Sequence, residues 1–143
     1  MIIKNTQQLK YQYQNLKPKI IQRLQEFKSI PKQDYFYEAC FCILTPQSKA
    51  HNCWNTVLKL KENNFQNKNI NPKPFLRKGY VRFHNNKSKY LIELKSKFSN
   101  ILKAHKEIKN PKQLREFLVN NVKGWSLKES SHYLRNIGYE NQA

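Results

Sequence analysis

Apolar side chains recur every three to four positions along most of this sequence, the spacing of one helix face. Pro18 suits a first helical turn, and Ile20, Ile21, Leu24 and Phe27 then fall on one stripe of a helix over residues 18–28. Residues 35–45 are apolar almost all round, as a helix buried in the middle of a bundle would be. Pro46 interrupts, and Ala50, Trp54, Val57, Leu58 and Lys61 mark the core stripe of an amphipathic helix of about four turns. Residues 63–74, rich in Asn and Pro, read as the one long loop. A short helix and a break at Gly79 follow within residues 75–90, and Tyr90, Leu91, Leu94, Phe98, Ile101 and Leu102 continue at helical spacing. Asn110 and Pro111 read as a cap and first turn for a helix that buries Leu114, Phe117 and Leu118. The final helix, 127–137, stops at Gly138. With only 3 glycines and no internal repeat, the pattern predicts an all-α bundle forming a single domain over residues 1–143.

Charge then narrows the function. The 143 residues carry 27 Lys+Arg against 9 Asp+Glu, a formal net charge of +18. Such an excess excludes cationic substrates and points to a polyanion: nucleic acid first, an acidic membrane surface second. Lysine and asparagine are both abundant, so a compositional bias of the genome is the competing source of the charge. Hydrophobic residues at 38% suffice for a core and are too many for a disordered basic tail. The longest apolar run, residues 39–44, falls far short of the ~20 residues of a membrane span, and no secretory signal opens the chain. Three cysteines, an odd number, argue for reduced thiols inside a cell. The expectation is a soluble, intracellular monomer with no membrane partner.

The segment richest in chemistry is 117–139, which reads as helix, tight turn (VKGWS), helix. A helix-hairpin-helix of this kind presents backbone N–H groups beside a helix N-terminus and can seat a DNA phosphate without reading a base. Lys123 would add a point charge there, next to Gly124, Trp125 and Ser126. On the second helix Leu127, Leu134 and Ile137 line the core side with Ser131 between them, and Lys128 lies about 100° further round. His132 and Arg135 are one and two turns along the same side. A lysine at the rim of a core is partly desolvated and sits among cations, and both effects favour the neutral, nucleophilic amine. The plain alternative is one solvated lysine among many.

The stretch GWSLKESSHYLRNIGY resembles the hairpin and catalytic helix of the prokaryotic type-2 8-oxoguanine DNA glycosylase/AP lyases, a branch of the helix-hairpin-helix glycosylases. RLQEFKSI at 23–30, ACFCILTPQSKA at 39–50, VRFHNNKSKYL at 81–91 and REFLVNNVKG at 115–124 are similar to further blocks of that family, in the same order. The resemblance implies that Lys128 is the catalytic lysine, attacking the sugar C1′ of a flipped nucleotide and leading through a Schiff base to strand cleavage by β-elimination. It implies that Lys123, Gly124, Trp125 and Ser126 form the DNA-binding hairpin, and that Gln47, Ser48 and Lys49 lie near the base pocket. The implied partner is double-stranded DNA containing 8-oxoguanine or abasic sites, with no cofactor and no metal. Two departures stand out. Ser126 replaces a second hairpin glycine, where a left-handed backbone would cost roughly 1 kcal/mol. The family's catalytic aspartate follows the segment matching residues 136–139, whereas this sequence ends at Ala143 and holds one aspartate, Asp34. The expectation is a copy truncated before the catalytic aspartate, its C-terminal part missing.

Other constellations carry less. Cys40, Cys42, His51 and Cys53 suggest zinc, but residues two apart on a helix point about 200° from one another, so buried thiols are the better reading. Arg82, His84, Lys87 and Lys89 form a basic run that touches phosphates or merely faces solvent. Trp125 and Trp54 offer stacking rings, with packing across the turn and in the core stripe as the alternatives. His132 reads as a packing or hydrogen-bonding group. Two rivals to the enzyme remain: a non-catalytic DNA-binding remnant of it, and a small basic RNA-associated structural protein.

Overall fold

A computed structural model describes residues 30–139, so the helix expected over 18–28 lies outside the described residues. A single 3₁₀ turn, Lys32–Asp34, leads into six helices: α1 (Tyr35–Leu44), α2 (Ala50–Glu62), α3 (Lys73–Lys78), α4 (His84–Glu107), α5 (Pro111–Asn121) and α6 (Leu127–Asn136). Among the described residues there is no strand, and no helix is long and apolar enough to cross a membrane.

The all-round apolar helix sits where its pattern requires. α1 buries Phe36, Ala39, Cys40, Cys42, Ile43 and Leu44 and packs against α2, α4 and α6. Phe36 meets Phe98 of α4 edge-on at 5.3 Å and stacks on Phe65 at 5.9 Å. α4, the longest helix, turns Leu91, Leu94, Phe98, Ile101 and Ala104 inward at spacings of three and four.

Helix ends follow from local chemistry. Asn110 caps α5, its side-chain oxygen accepting from the N–H groups of Lys112 (2.9 Å) and Gln113 (3.2 Å), with Pro111 in the first turn. α6 ends as expected at Gly138 (φ +106°), where the N–H of Tyr139 donates to the Leu134 carbonyl at 2.9 Å. Gly79 behaves differently from the expected conformational break. Its φ is −83°, and Tyr80 takes the left-handed position (φ 58°) after α3. What requires glycine is close approach, because a Cβ at position 79 would lie 2.0 Å from Thr56 Oγ1 of α2.

Two core stripes need correction. On α2 the buried face is Cys53, Thr56, Val57 and Leu60, while Trp54 and Leu58 are exposed. On α6 the buried face is Ser130, Tyr133, Leu134 and Ile137, and Leu127 is 55% exposed. Tyr133, which the pattern passed over, is fully buried because its hydroxyl shares a hydrogen bond with His105 (Nε2 to Oη 2.9 Å).

Candidate DNA-repair site: a lysine at the mouth of a cleft

Five residues separate α5 from α6, and they form the hairpin that the sequence pattern suggested. Gly124 turns it with φ +91°, and a Cβ there would come within 2.8 Å of the Tyr90 ring. Both backbone and packing therefore exclude a side chain. Gly124→Ala should cost more than about 1 kcal/mol of stability and weaken duplex binding several-fold, as thermal melts and titrations would show. A melt and an affinity matching the parent would contradict this account of the turn.

Ser126 is not left-handed. Its φ of −99° and ψ of −174° are extended, so the strain expected from losing a second glycine does not arise. Instead Ser126 and Glu129 form a capping box, in which the Glu129 carboxylate accepts from the Ser126 N–H at 3.0 Å and also from its hydroxyl. Burial pushes the Glu129 carboxyl up, but the Ser126 hydrogen bonds, its own N–H and the Lys128 charge outweigh that and hold it below the ordinary value. The Ser126 N–H is thus already taken. The N–H groups of Leu127 and Lys128, in the first turn of α6, have no intrahelical acceptor.

Of the two readings of the Trp125 ring, packing across the turn is the one its position fits. It is buried, stacks at a tilt on Tyr133 with centroids 5.0 Å apart, and the backbone N–H of Trp125 donates to the Val122 carbonyl at 3.3 Å. Lys123 remains exposed beside the turn.

A cleft of about 1150 Å³ opens between α6 and the α1–α2 pair. α6 lines it with Lys128, Glu129, His132, Arg135 and Asn136, and the opposite wall holds Phe41, Gln47, Ser48, Trp54 and Leu58. The apolar stripe expected to pack α2 into the core is therefore a wall of the cleft. Lys128 is exposed at this site rather than tucked at the rim of the core. Among the described residues it has no hydrogen-bond or ion-pair partner, whereas Lys61, the other lysine of the cleft, is tied to Asp34 at 2.8 Å. His132 packs edge-on against Phe41 at 5.9 Å. Burial, then the Arg135 charge, lower its pKa below the ordinary histidine value and favour the neutral ring.

Gln47 and Ser48 reach the same cleft as Lys128, but Lys49 does not. Lys49 faces an adjoining depression of about 640 Å³ with Asn52, Tyr80 and Arg82. Lys87 departs from the basic run expected of it, being 4% exposed. Two aromatics escaped the sequence reading: Tyr80 (82% exposed) and Phe83 (52% exposed), both left-handed, with the Arg82 guanidinium 5.5 Å from the Phe83 ring centre. Nothing local announces them, since non-glycine residues seldom adopt positive φ. The three cysteines are buried, and among the described residues no group of three or more His, Cys, Asp or Glu could hold a metal.

An all-helical bundle with a helix-hairpin-helix beside a lysine-bearing cleft has the architecture of the helix-hairpin-helix DNA glycosylases. Comparison narrows the class: a family model described as 8-oxoguanine DNA glycosylase matches residues 20–143, and the chain belongs to that family. It is 41% identical over 144 residues to an 8-oxoguanine DNA glycosylase/AP lyase of Fusobacterium nucleatum, covering 89% of this chain and 63% of that protein. A relative of the same description from Methanocaldococcus jannaschii is 34% identical, over 100% of this chain and 69% of that protein. The crystal structure of the M. jannaschii 8-oxoguanine DNA glycosylase superposes with a TM-score of 0.78, covering 97% of this chain and 65% of that one. The M. jannaschii enzyme in complex with a 15mer DNA containing 8-oxoguanine also gives 0.78, at 31% identity, over 90% of this chain and 64% of that one. The chain thus spans about two thirds of the length of these relatives.

Proposed function

We propose that this chain removes 8-oxoguanine from duplex DNA and cleaves the resulting abasic strand, with Lys128 as nucleophile. The observation that carries the reading is the placement of Lys128: without a hydrogen-bond or ion-pair partner among the described residues, one residue into α6, at the junction of the hairpin and the cleft. A phosphate held by N–H groups of the hairpin and the first turn of α6 would set the strand beside that amine, with the helix dipole favouring the anion.

A nucleotide flips into the cleft, and the Lys128 amine attacks C1′ as the bond from C1′ to the base breaks. The base leaves with the bonding electron pair and takes up a proton. The nitrogen loses its proton and the sugar ring opens to a Schiff base. Loss of a C2′ proton then expels the 3′ phosphate.

The test is borohydride reduction, which turns the Schiff base into a stable amine between protein and DNA. A covalent adduct with an 8-oxoguanine duplex supports the reading. Tight binding to duplex without an adduct on 8-oxoguanine or abasic DNA would instead identify a binding module.

Binding itself should be steeply salt-dependent. Each phosphate neutralised contributes a slope of ~0.9 in log K against log salt, so about six contacts would lower affinity roughly 10³-fold between 50 and 200 mM salt. The net charge of +18 supports that many. An affinity flat across this range would exclude phosphate contacts as its source.

A further inference from the structure

Lys87 is a buried ammonium with three donors and three acceptors. Its Nζ donates to the carbonyls of Leu44 (2.7 Å) and Pro46 (2.6 Å) and to the hydroxyl of Ser48 (3.1 Å). All three oxygens lie about forty residues earlier in the chain, on the last residue of α1 and in the turn after it. No carboxylate pairs with the ammonium among the described residues; neutral oxygens alone offset its desolvation. The Leu44 carbonyl is also a C-terminal group of α1, where a cation is favoured by the helix dipole.

The grip has a distinctive target. Gln47 is left-handed (φ 56°), and two of the three acceptors, Pro46 and Ser48, flank it. Ser48 also accepts from the N–H of Arg82 at 2.9 Å, so the same hydroxyl joins the turn to residues 80–83. That second segment carries the exposed Tyr80 and Phe83 rings, and Lys87 lies 5.9 Å from the Phe83 ring centre. One ammonium thus anchors both the cleft-facing Gln47 and the exposed aromatic segment beside it.

We infer that Lys87 is a positioning residue for the base-dependent step, holding Gln47 into the cleft and the Tyr80–Phe83 segment in register with it. The inference rests on the glycosylase reading for what the cleft accepts. Without the ammonium, the Pro46 carbonyl loses its donor and the Leu44 carbonyl keeps only the weak S–H of Cys53. Gln47 is then free to relax toward the extended backbone that most residues prefer.

The experiment uses the full chain with Lys87→Met, which keeps the bulk and removes the charge, and Ser48→Ala, which breaks the link to Arg82 and one of the three Lys87 bonds but leaves the ammonium on both carbonyls. Hydrogen exchange read by mass spectrometry should speed up on the order of tenfold in residues 44–49 and 80–83 of Lys87→Met, leaving α5 and α6 unchanged. Borohydride trapping on an 8-oxoguanine duplex, at saturating protein, should fall about tenfold or more, while trapping on an abasic duplex changes less than about threefold, since no base needs holding there. Duplex affinity should stay within the same threefold. Should Lys87→Met not fold, Ser48→Ala reads the same signals, with faster exchange at residues 80–83 and a smaller loss on 8-oxoguanine.

Unchanged exchange in both segments overturns the inference, as does an equal loss on the two substrates. A parent chain inert on both duplexes overturns the glycosylase reading instead, and exchange alone then decides whether Lys87 holds the two segments.

Discussion

Replacing Lys128 with glutamine should abolish covalent trapping on both 8-oxoguanine and abasic duplexes while leaving binding nearly intact. Loss of an attacking group typically costs on the order of 10³-fold or more, because no neighbour inherits its role. Lys61, the other lysine lining the cleft, is held by Asp34 at 2.8 Å and lies 6.0 Å from the Tyr37 ring centre, so it is poorly placed to substitute. Binding should weaken by no more than about threefold, as one positive charge among many contributes a single phosphate contact at most. Lys61→Gln is the matched control and should trap like the parent. If Lys128→Gln traps as well as the parent on both substrates, the adduct forms elsewhere and the assignment of the nucleophile fails.

Acidification should destabilise the fold through His105. Its Nε2 bonds to the Tyr133 hydroxyl, its Nδ1 is buried without a partner, and the rings of Tyr35 and Tyr139 lie 6.1 and 5.9 Å away. Burial, aided by the Lys32 charge, lowers its pKa from 6.5 to about 4. The unfolded chain therefore binds the extra proton between these values, and the folded one does not. Stability from this group is fully present above pH 6.5 and is lost as the pH falls toward 4. The total is about 3 kcal/mol, of which about 2 kcal/mol disappears between pH 7 and pH 5, before most carboxylates titrate. Urea denaturation at those two pH values measures it. His105→Gln, which can still meet the Tyr133 hydroxyl but does not titrate, should flatten the dependence over that window. An equal loss in the variant would place the titrating group elsewhere.

The helical order of the described residues was legible because pattern and caps agreed: the all-apolar run of α1, Asn110 with Pro111 at α5, Gly138 after α6. Errors arose where one face had two possible partners. Trp54 and Leu58 look like core from their spacing, yet periodicity cannot distinguish the wall of a cleft from the interior of a bundle. The capping box of Ser126 and Glu129 is spelled as S-x-x-E, and its extended cap residue needs no second glycine in the hairpin. Lys87 was hidden for a different reason. Its acceptors are carbonyls, which carry no signature in sequence, and they come from a distant turn.

The three thiols of α1 and α2 bear on survival rather than catalysis. Oxidants attack the thiolate, and Cys40, Cys42 and Cys53 are all fully buried, with burial pushing each thiol above its ordinary pKa. Cys53 further donates its S–H to the Leu44 carbonyl at 3.2 Å. They are the chain's only cysteines, so peroxide finds no accessible thiolate on its surface. Oxidants of the kind that damage guanine would therefore leave the sulfhydryls of this chain intact.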